Sequence, residues 1–337
     1  MLAAVLHAPG PPEAFSIEEV PDPVPAADEA LIRVGACGIA YHDIVERNGT
    51  YKRDVSFPLI LGYEIAGTVV AVGAHVTRLA VGDHVCTKAF ASCGQCRFCR
   101  TGRETTCKDR RPVRGGYAEY VAVPQDALVA IPDEMPFEAA CSLGPTAGVA
   151  LNAVRDSARV TIGDRVLVTG ASGGVGLAAV RLAALAGATV VAATRSEANR
   201  AALTEAGAHE ILIHDGVSNF GKALAADRGA VDVVIDTVGS RVFDAAFAAL
   251  APHGRYAFVG QLFGEEIRIN PARIFFKRAH LIGVGSVSRV QLEDVIDLAA
   301  KGLLPRTVNR SFPLEEIAQA HRLVEEGDVV GRIVITP

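Results

Sequence analysis

The 337-residue chain has no long basic run: 33 lysines and arginines stand against 38 aspartates and glutamates, a formal net charge of −5. That balance leaves no electrostatic footprint for nucleic acid or for an anionic membrane surface. An uninterrupted apolar stretch of about 18 residues, the length of a membrane span, is also missing. Even the Ala/Val/Leu-rich run at 177–194 is broken by Arg181 and Gly187. The opening Met-Leu-Ala-Ala-Val-Leu-His-Ala-Pro-Gly lacks a basic region and an adequate apolar segment. It reads as a first strand rather than a secretion signal, and a cytoplasmic location is expected. No internal repeat or low-complexity segment interrupts the sequence.

Half of the residues are apolar and 21% are charged, the balance of a globular protein. At roughly 100–200 residues per domain, the length suggests two domains with separate cores. Seven cysteines, at 37, 86, 93, 96, 99, 107 and 141, sit in a chain for which no export is expected. An odd count in that setting points to thiols or metal ligands rather than disulfides.

Up to about residue 135, short β-type runs such as Ala30–Gly35, Glu64–Val72 and Tyr117–Val123 are separated by Gly, Pro and Asp clusters. From about 146 to 284, strands and helices alternate: Arg165–Thr169, Val175–Ala186, Thr189–Ala193, Ala198–Ala206, Val231–Ile235 and Arg255–Val259. The strands are apolar throughout, which predicts an α/β fold with a doubly wound parallel sheet covered by helices. The last 50 or so residues, ending in Gly331–Thr336, are positioned to rejoin the first domain.

Between a predicted strand and a predicted helix lies Thr169-Gly170-Ala-Ser172-Gly173-Gly174-Val175-Gly176. Glycines there let a backbone approach a pyrophosphate, and the helix N-terminus supplies free N–H groups and a positive dipole end. About 20 residues on, where an acidic side chain would accept from both ribose hydroxyls of NAD, the chain has Thr194-Arg195-Ser196, with Arg200 one turn further. A guanidinium suits a 2′-phosphate, so NADPH is expected; a solvated surface arginine is the alternative.

Cys93-Gly-Gln-Cys96-Arg-Phe-Cys99, followed by Cys107, brings four cysteines within 15 residues. Four thiolates close a tetrahedral shell around zinc and leave no open position, so the expected site is structural.

With this lobe, the segment Cys37-Gly-Ile-Ala-Tyr41-His42-Asp43 and the triplet Gly62-Tyr63-Glu64, the chain resembles the medium-chain dehydrogenase/reductase superfamily, zinc-containing alcohol dehydrogenase branch. Within that branch it is most similar to acryloyl-CoA reductase-type members. The resemblance implies a GroES-like catalytic domain at 1–146, with its zinc lobe at 90–110, completed by 285–337. It implies a Rossmann cofactor domain at 147–284, with the active site in the cleft between the two. Val238, Val259 and Gly260 would line the nicotinamide side. The apolar segment 279–287 resembles the edge strand through which relatives pair, so a homodimer or homotetramer is expected.

The resemblance assigns the catalytic zinc to a cysteine matching Cys37, to a histidine where Tyr63 stands, and to a cysteine where the chain has Pro145. Cys141 lies four positions earlier and Glu64 persists, short of three ligands. Without a Lewis acid, carbonyl chemistry loses its stabiliser, whereas hydride addition to an activated C=C spreads charge into an enolate that hydrogen bonds can hold. The expectation is NADPH-dependent reduction of an α,β-unsaturated carbonyl, an enoyl-thioester or a quinone, all small molecules. Tyr63, His42, Tyr41 and Tyr51 are candidate proton donors, and Asp43 could orient a relay of Tyr63, His42 and Asp43. Each has a plainer reading: Tyr63 as filler, His42 as a structural histidine, Asp43 as a helix cap, Cys37 as a buried thiol. Arg47, Lys52, Arg53, Arg110, Arg111 and Arg114 are available for a CoA thioester. A zinc alcohol dehydrogenase with an altered site, and a non-catalytic NADPH-binding redox sensor, are the competing functions.

Overall fold

The computed structural model describes residues 1–50, 56–215, 219–304, 308–327 and 329–337. They form two compact units, one of 1–148 with 286–337 and one of 149–285. Among the described residues, no helix is long and apolar enough to cross a membrane.

The first unit is built on the long strand Glu29–Ile39, whose alternating side chains bury Ala30, Ile32, Val34 and Ala36 in the core. This strand pairs antiparallel with Glu64–Val72, with Tyr120–Pro124 and with the C-terminal strand Arg332–Thr336. The chain's two ends therefore share one sheet. Register sets Gly38 opposite Glu64 and Ile39 opposite Ile333, so Glu64 and Arg332 flank the same end of the central strand. Glycine is required at 38, because a Cβ there would lie 2.5 Å from Glu64 Oε2. Immediately after the strand, the helix Tyr41–Arg47 opens, its free Ala40 amide accepted by Asp43 at 2.9 Å. Near the C-terminus, helix Ile317–Glu326 turns Ile317, Ala320 and His321 inward at helical spacing and stops at Gly327, whose φ is +76°.

Six parallel strands make the sheet of the second unit. Their spatial order is Glu210–Ile213, Thr189–Thr194, Arg165–Thr169, Val231–Asp236, Leu250–Phe258 and His280–Gly283. In chain order that is 3-2-1-4-5-6, the doubly wound dinucleotide-binding arrangement. Val166, Leu167 and Val168 are inaccessible to solvent, as expected of a strand covered on both faces. The helix expected over 198–206 begins as a 3-10 turn, Glu197–Asn199, because Ser196 caps it by accepting from the Ala198 amide at 3.3 Å. The strand expected over 279–287 is confined to His280–Gly283, since Ser288 already caps helix Arg289–Ala300.

Candidate functional site

Glu64 is fully buried, yet both of its oxygens are engaged. Arg332 donates from Nη2 to Oε1 at 2.9 Å and from Nε to Oε2 at 3.2 Å. The Thr146 hydroxyl donates to Oε1 at 2.8 Å. A buried carboxylate is tolerated only when paired and hydrogen-bonded, and here a forked guanidinium meets that need.

Beside this cluster Tyr63 is partly exposed, with its ring edge-on to His42 at a centroid distance of 5.2 Å. Burial, reinforced by the charges of Glu64 and Asp43 and opposed by Arg332, raises the Tyr63 phenol well above its usual range. It is a proton-bearing hydroxyl at neutral pH. His42 Nδ1 lies 3.8 Å from Glu46 Oε2, one helical turn on. Tyr41 opens the same helix and packs against the core. Asp43 is almost fully buried; its carboxylate accepts from the Ala40 amide at 2.9 Å and from the Gly62 amide at 3.2 Å, with the Tyr117 phenol close by. Desolvation outweighs those donors and lifts Asp43 to about 7.

Cys37 Sγ faces the core. A Cβ on Gly62 or Gly116 would come within 2.8 or 2.6 Å of it, and burial, with Asp43, Cys141 and Glu64 nearby, pushes its thiol well up. Cys141 donates to the Glu138 carbonyl at 3.3 Å and is likewise held protonated by burial.

The cysteine lobe has different chemistry. Tetrahedral Zn–S bonds of about 2.3 Å place sulfurs about 3.8 Å apart. Cys96 and Cys99 Sγ lie 3.5 Å apart, Cys93 and Cys99 Sγ 3.9 Å apart, and all four sulfurs, Cys107 included, fall within 4.8 Å of one another. The Cys93 and Cys96 amides donate to the sulfurs of Cys107 and Cys93, both at 3.4 Å. These separations fit a four-thiolate divalent ion and are far beyond a disulfide's roughly 2.05 Å. Lys88, fully buried, ties the lobe down through Glu104 at 2.8 Å and Asp126 at 3.3 Å.

In the second unit, helix Gly174–Leu185 starts at an N-cap glycine, Gly173, with no side chain capping its first turn. The first amides of that helix, through Gly174, Val175 and Gly176, have no intrahelical acceptor and suit a phosphate. Gly173 is exposed, with only the Gly170 carbonyl near its missing Cβ, at 3.5 Å, and Ser172 is partly exposed beside it. A Cβ on Gly176 would lie 2.2 Å from that same carbonyl, so the helix can pack this closely only with glycine there. Thr194 is buried and accepts from Asn199 at 2.8 Å, shaping the turn that presents Arg195 to solvent. Arg200 is paired with Glu197 at 3.0 Å. Val259 and Gly260 line a depression of about 290 Å³ with Gly239, Phe258, Gln261 and Ile267. Val238 borders the glycine loop, 2.9 Å from where a Gly170 Cβ would sit.

Residues 26–133 match the family model for the alcohol dehydrogenase GroES-like domain, and residues 174–301 match that for zinc-binding dehydrogenases. Acryloyl-coenzyme A reductase of Sulfurisphaera tokodaii is 31% identical, over 98% of this chain and 98% of its own. Quinone oxidoreductase of Mus musculus is 31% identical over 94% and 92%. The crystal structure of AibC is 38% identical and superposes with a TM-score of 0.92, over 100% of this chain and 96% of that one. The chain belongs to the medium-chain dehydrogenase/reductase superfamily. It lies in the zinc-containing alcohol dehydrogenase-like branch, and it is an oxidoreductase that uses a pyridine nucleotide. The GroES-like and Rossmann architecture read from the sequence is the one observed.

The family's catalytic metal position does not fit the side chains this member carries. Tyr63 is a protonated phenol, Pro145 has no donor atom, Cys37 is a core thiol, and Glu64 is saturated by Arg332 and Thr146. Among the described residues, the four lobe cysteines are the one group of three or more His, Cys, Asp or Glu side chains whose ligand atoms converge.

Two expectations need correction. Asp43 is committed to the Ala40 and Gly62 amides, so the relay read from sequence reduces to the ring pair His42–Tyr63 beside a carboxylate that braces backbone. Arg47 is not a surface cation for a thioester: it is 1% exposed and bound to His321 and Glu325. Arg111 and Arg114 are likewise paired, with Asp28 and Glu46, and Arg110 lies over the Phe90 ring at 5.2 Å. Tyr51, Lys52 and Arg53 lie outside the described residues. Sequence reasoning missed Arg332, Thr146, Tyr117 and His321. Each comes from a distant segment, and only the inward helical spacing of Ile317, Ala320 and His321 was available to flag one of them.

Proposed function

We propose that this enzyme reduces an activated C=C, in an α,β-unsaturated carbonyl, an enoyl-thioester or a quinone, using NADPH and no catalytic zinc. The observation that carries this reading is the saturated Glu64: a carboxylate already held by Arg332 and Thr146 is not free to bind a metal beside the Tyr63 hydroxyl. NADPH, when bound, supplies the hydride. The pyrophosphate would rest on the first amides of helix Gly174–Leu185, and Arg195, assisted by Arg200 and the Thr194–Ser196 turn, would pair with the 2′-phosphate.

In this reading hydride bonds to the β-carbon, the C=C electron pair moves onto the carbonyl as an enolate, and a proton from Tyr63 completes the α-carbon. Arg332 and Glu64 hold the charge around Tyr63 balanced, and His42 packs against its ring. Cys93, Cys96, Cys99 and Cys107 would hold one structural zinc. An exposed edge, His280–Gly283, with Phe275, Phe276 and Leu281 exposed nearby, supports pairing of two cofactor sheets into a homodimer.

The test is NADPH oxidation across acryloyl- and crotonyl-thioesters, simple enones, quinones and aldehydes. Turnover of the first three classes is expected, with at least a tenfold loss in Tyr63→Phe. Turnover confined to aldehydes would overturn the reading, and an unchanged rate in Tyr63→Phe would make the tyrosine filler.

A further inference from the structure

Behind Asp43 runs a hydrogen-bonded chain that the reduction itself does not use. Glu325, one-third exposed, accepts from Arg47 Nη2 at 2.5 Å. Arg47, 1% exposed, reaches His321 Nδ1 from Nη1 at 3.1 Å. His321, fully buried in the helix Ile317–Glu326, meets the Tyr117 hydroxyl through Nε2 at 3.3 Å, and the Tyr117 phenol lies beside Asp43 with its ring against Gly62. A guanidinium can only donate, so Nδ1 accepts and the ring proton sits on Nε2. Burial, with Arg47 alongside, keeps His321 neutral. Both bonds therefore point the same way, Arg47 to His321 and His321 to Tyr117, which leaves the phenol proton available to the neighbouring Asp43.

Such a chain is too buried and too directional to be incidental, since each member would otherwise be an unsatisfied polar group in the core. Its last member bridges two segments: Asp43 accepts from Ala40, at the start of the His42 helix, and from Gly62, next to Tyr63. Gly62 is fixed further by the Gly116 amide, which donates to its carbonyl at 2.9 Å. We propose that Tyr117, His321 and Arg47 are positioning residues which, acting through Asp43, pin the Gly62–Tyr63 segment against the His42 helix. The inference rests on the proposed role of Tyr63, and its readout is chosen to be separable from that role.

The probe is Cys37. Its sulfur is covered by Gly62 and Gly116, so loosening of the pinned segment uncovers it. Iodoacetamide labelling of the folded full-length protein, mapped by mass spectrometry, compares Cys37 with Cys86, buried elsewhere on the strand His84–Thr87. Tyr117→Phe keeps the ring and deletes only the hydroxyl; His321→Leu severs the chain one step further back. Both are expected to raise Cys37 labelling at least tenfold with Cys86 unchanged, and to lower kcat several-fold with KM for NADPH unchanged. Cys37 protection equal to wild type in both variants would overturn the proposal, as would equal acceleration at Cys86, which marks general loosening. An unaffected rate in Tyr63→Phe would instead remove the proton donor while leaving the labelling result intact.

Discussion

Replacing Arg332 by leucine gives the most direct test of how this member stabilises the buried carboxylate of its candidate site. Glu64 is fully buried, and Arg332 is 13% exposed, so little solvent screening applies to the pair. Deleting the guanidinium leaves the carboxylate with the Thr146 hydroxyl alone, at 2.8 Å. Glu64 Oε2 packs directly against the neighbouring strand, 2.5 Å from where a Gly38 Cβ would sit. Removing one partner of a buried pair typically costs about 3–5 kcal/mol. Arg332→Leu should therefore lower the unfolding free energy by that amount, read as a fall in the urea midpoint of ΔΔG/m at an unchanged m-value. Adding Glu64→Gln should recover most of the loss, since a neutral amide does not need the cation; the double-mutant cycle measures this coupling directly. A loss below about 1 kcal/mol, or strict additivity in the cycle, would refute the argument that these groups depend on one another.

Purified protein should contain about one zinc per chain, and Cys99→Ser should release it and lower the melting temperature; two per chain would contradict the reading of the Tyr63 site. Arg195→Ala should cut kcat/KM with NADPH at least tenfold while leaving NADH nearly unaffected, and equal losses with both cofactors would deny it the 2′-phosphate. Asp43 sits at about 7 in the folded chain, above its unfolded value. The native state therefore takes up a proton between about pH 7 and 4 that the unfolded chain does not, so this group's contribution to stability grows as pH falls through that window. The whole effect is roughly 4 kcal/mol. His321, held low by burial, works in the opposite sense below about pH 6.5, because there only the unfolded chain is protonated. Measuring wild type against Asp43→Asn isolates the first effect: the difference should move in favour of the wild type on acidification, and a flat difference would refute it.

The sequence disclosed features whose chemistry is local and hid those assembled across the chain. Glycines 170 and 176 announce a strand-to-helix turn because Gly170 takes a positive φ and Gly176 fails with even one added carbon, while Gly173 leaves the helix start open. The four lobe cysteines fall within one short loop, so spacing alone sufficed to converge their sulfurs. Glu64 was visible as a remnant of a metal triplet, but its partner Arg332 lies 268 positions away and arrives only because the last strand pairs beside Gly38 and Ile39. His321 is 274 positions from Arg47 and 204 from Tyr117. Arg47 illustrates the limit best: counted as a cation in a charged stretch, it reads as solvated, and only the docking of a C-terminal helix turns it inward to orient a histidine. A side chain's type fixes which bonds it can make; for Arg47 and His321, the topology of a split domain decides which are made. A candidate-site position where Tyr63 stands in place of the family's metal-binding histidine is therefore best understood through the residues that hold its neighbours in place.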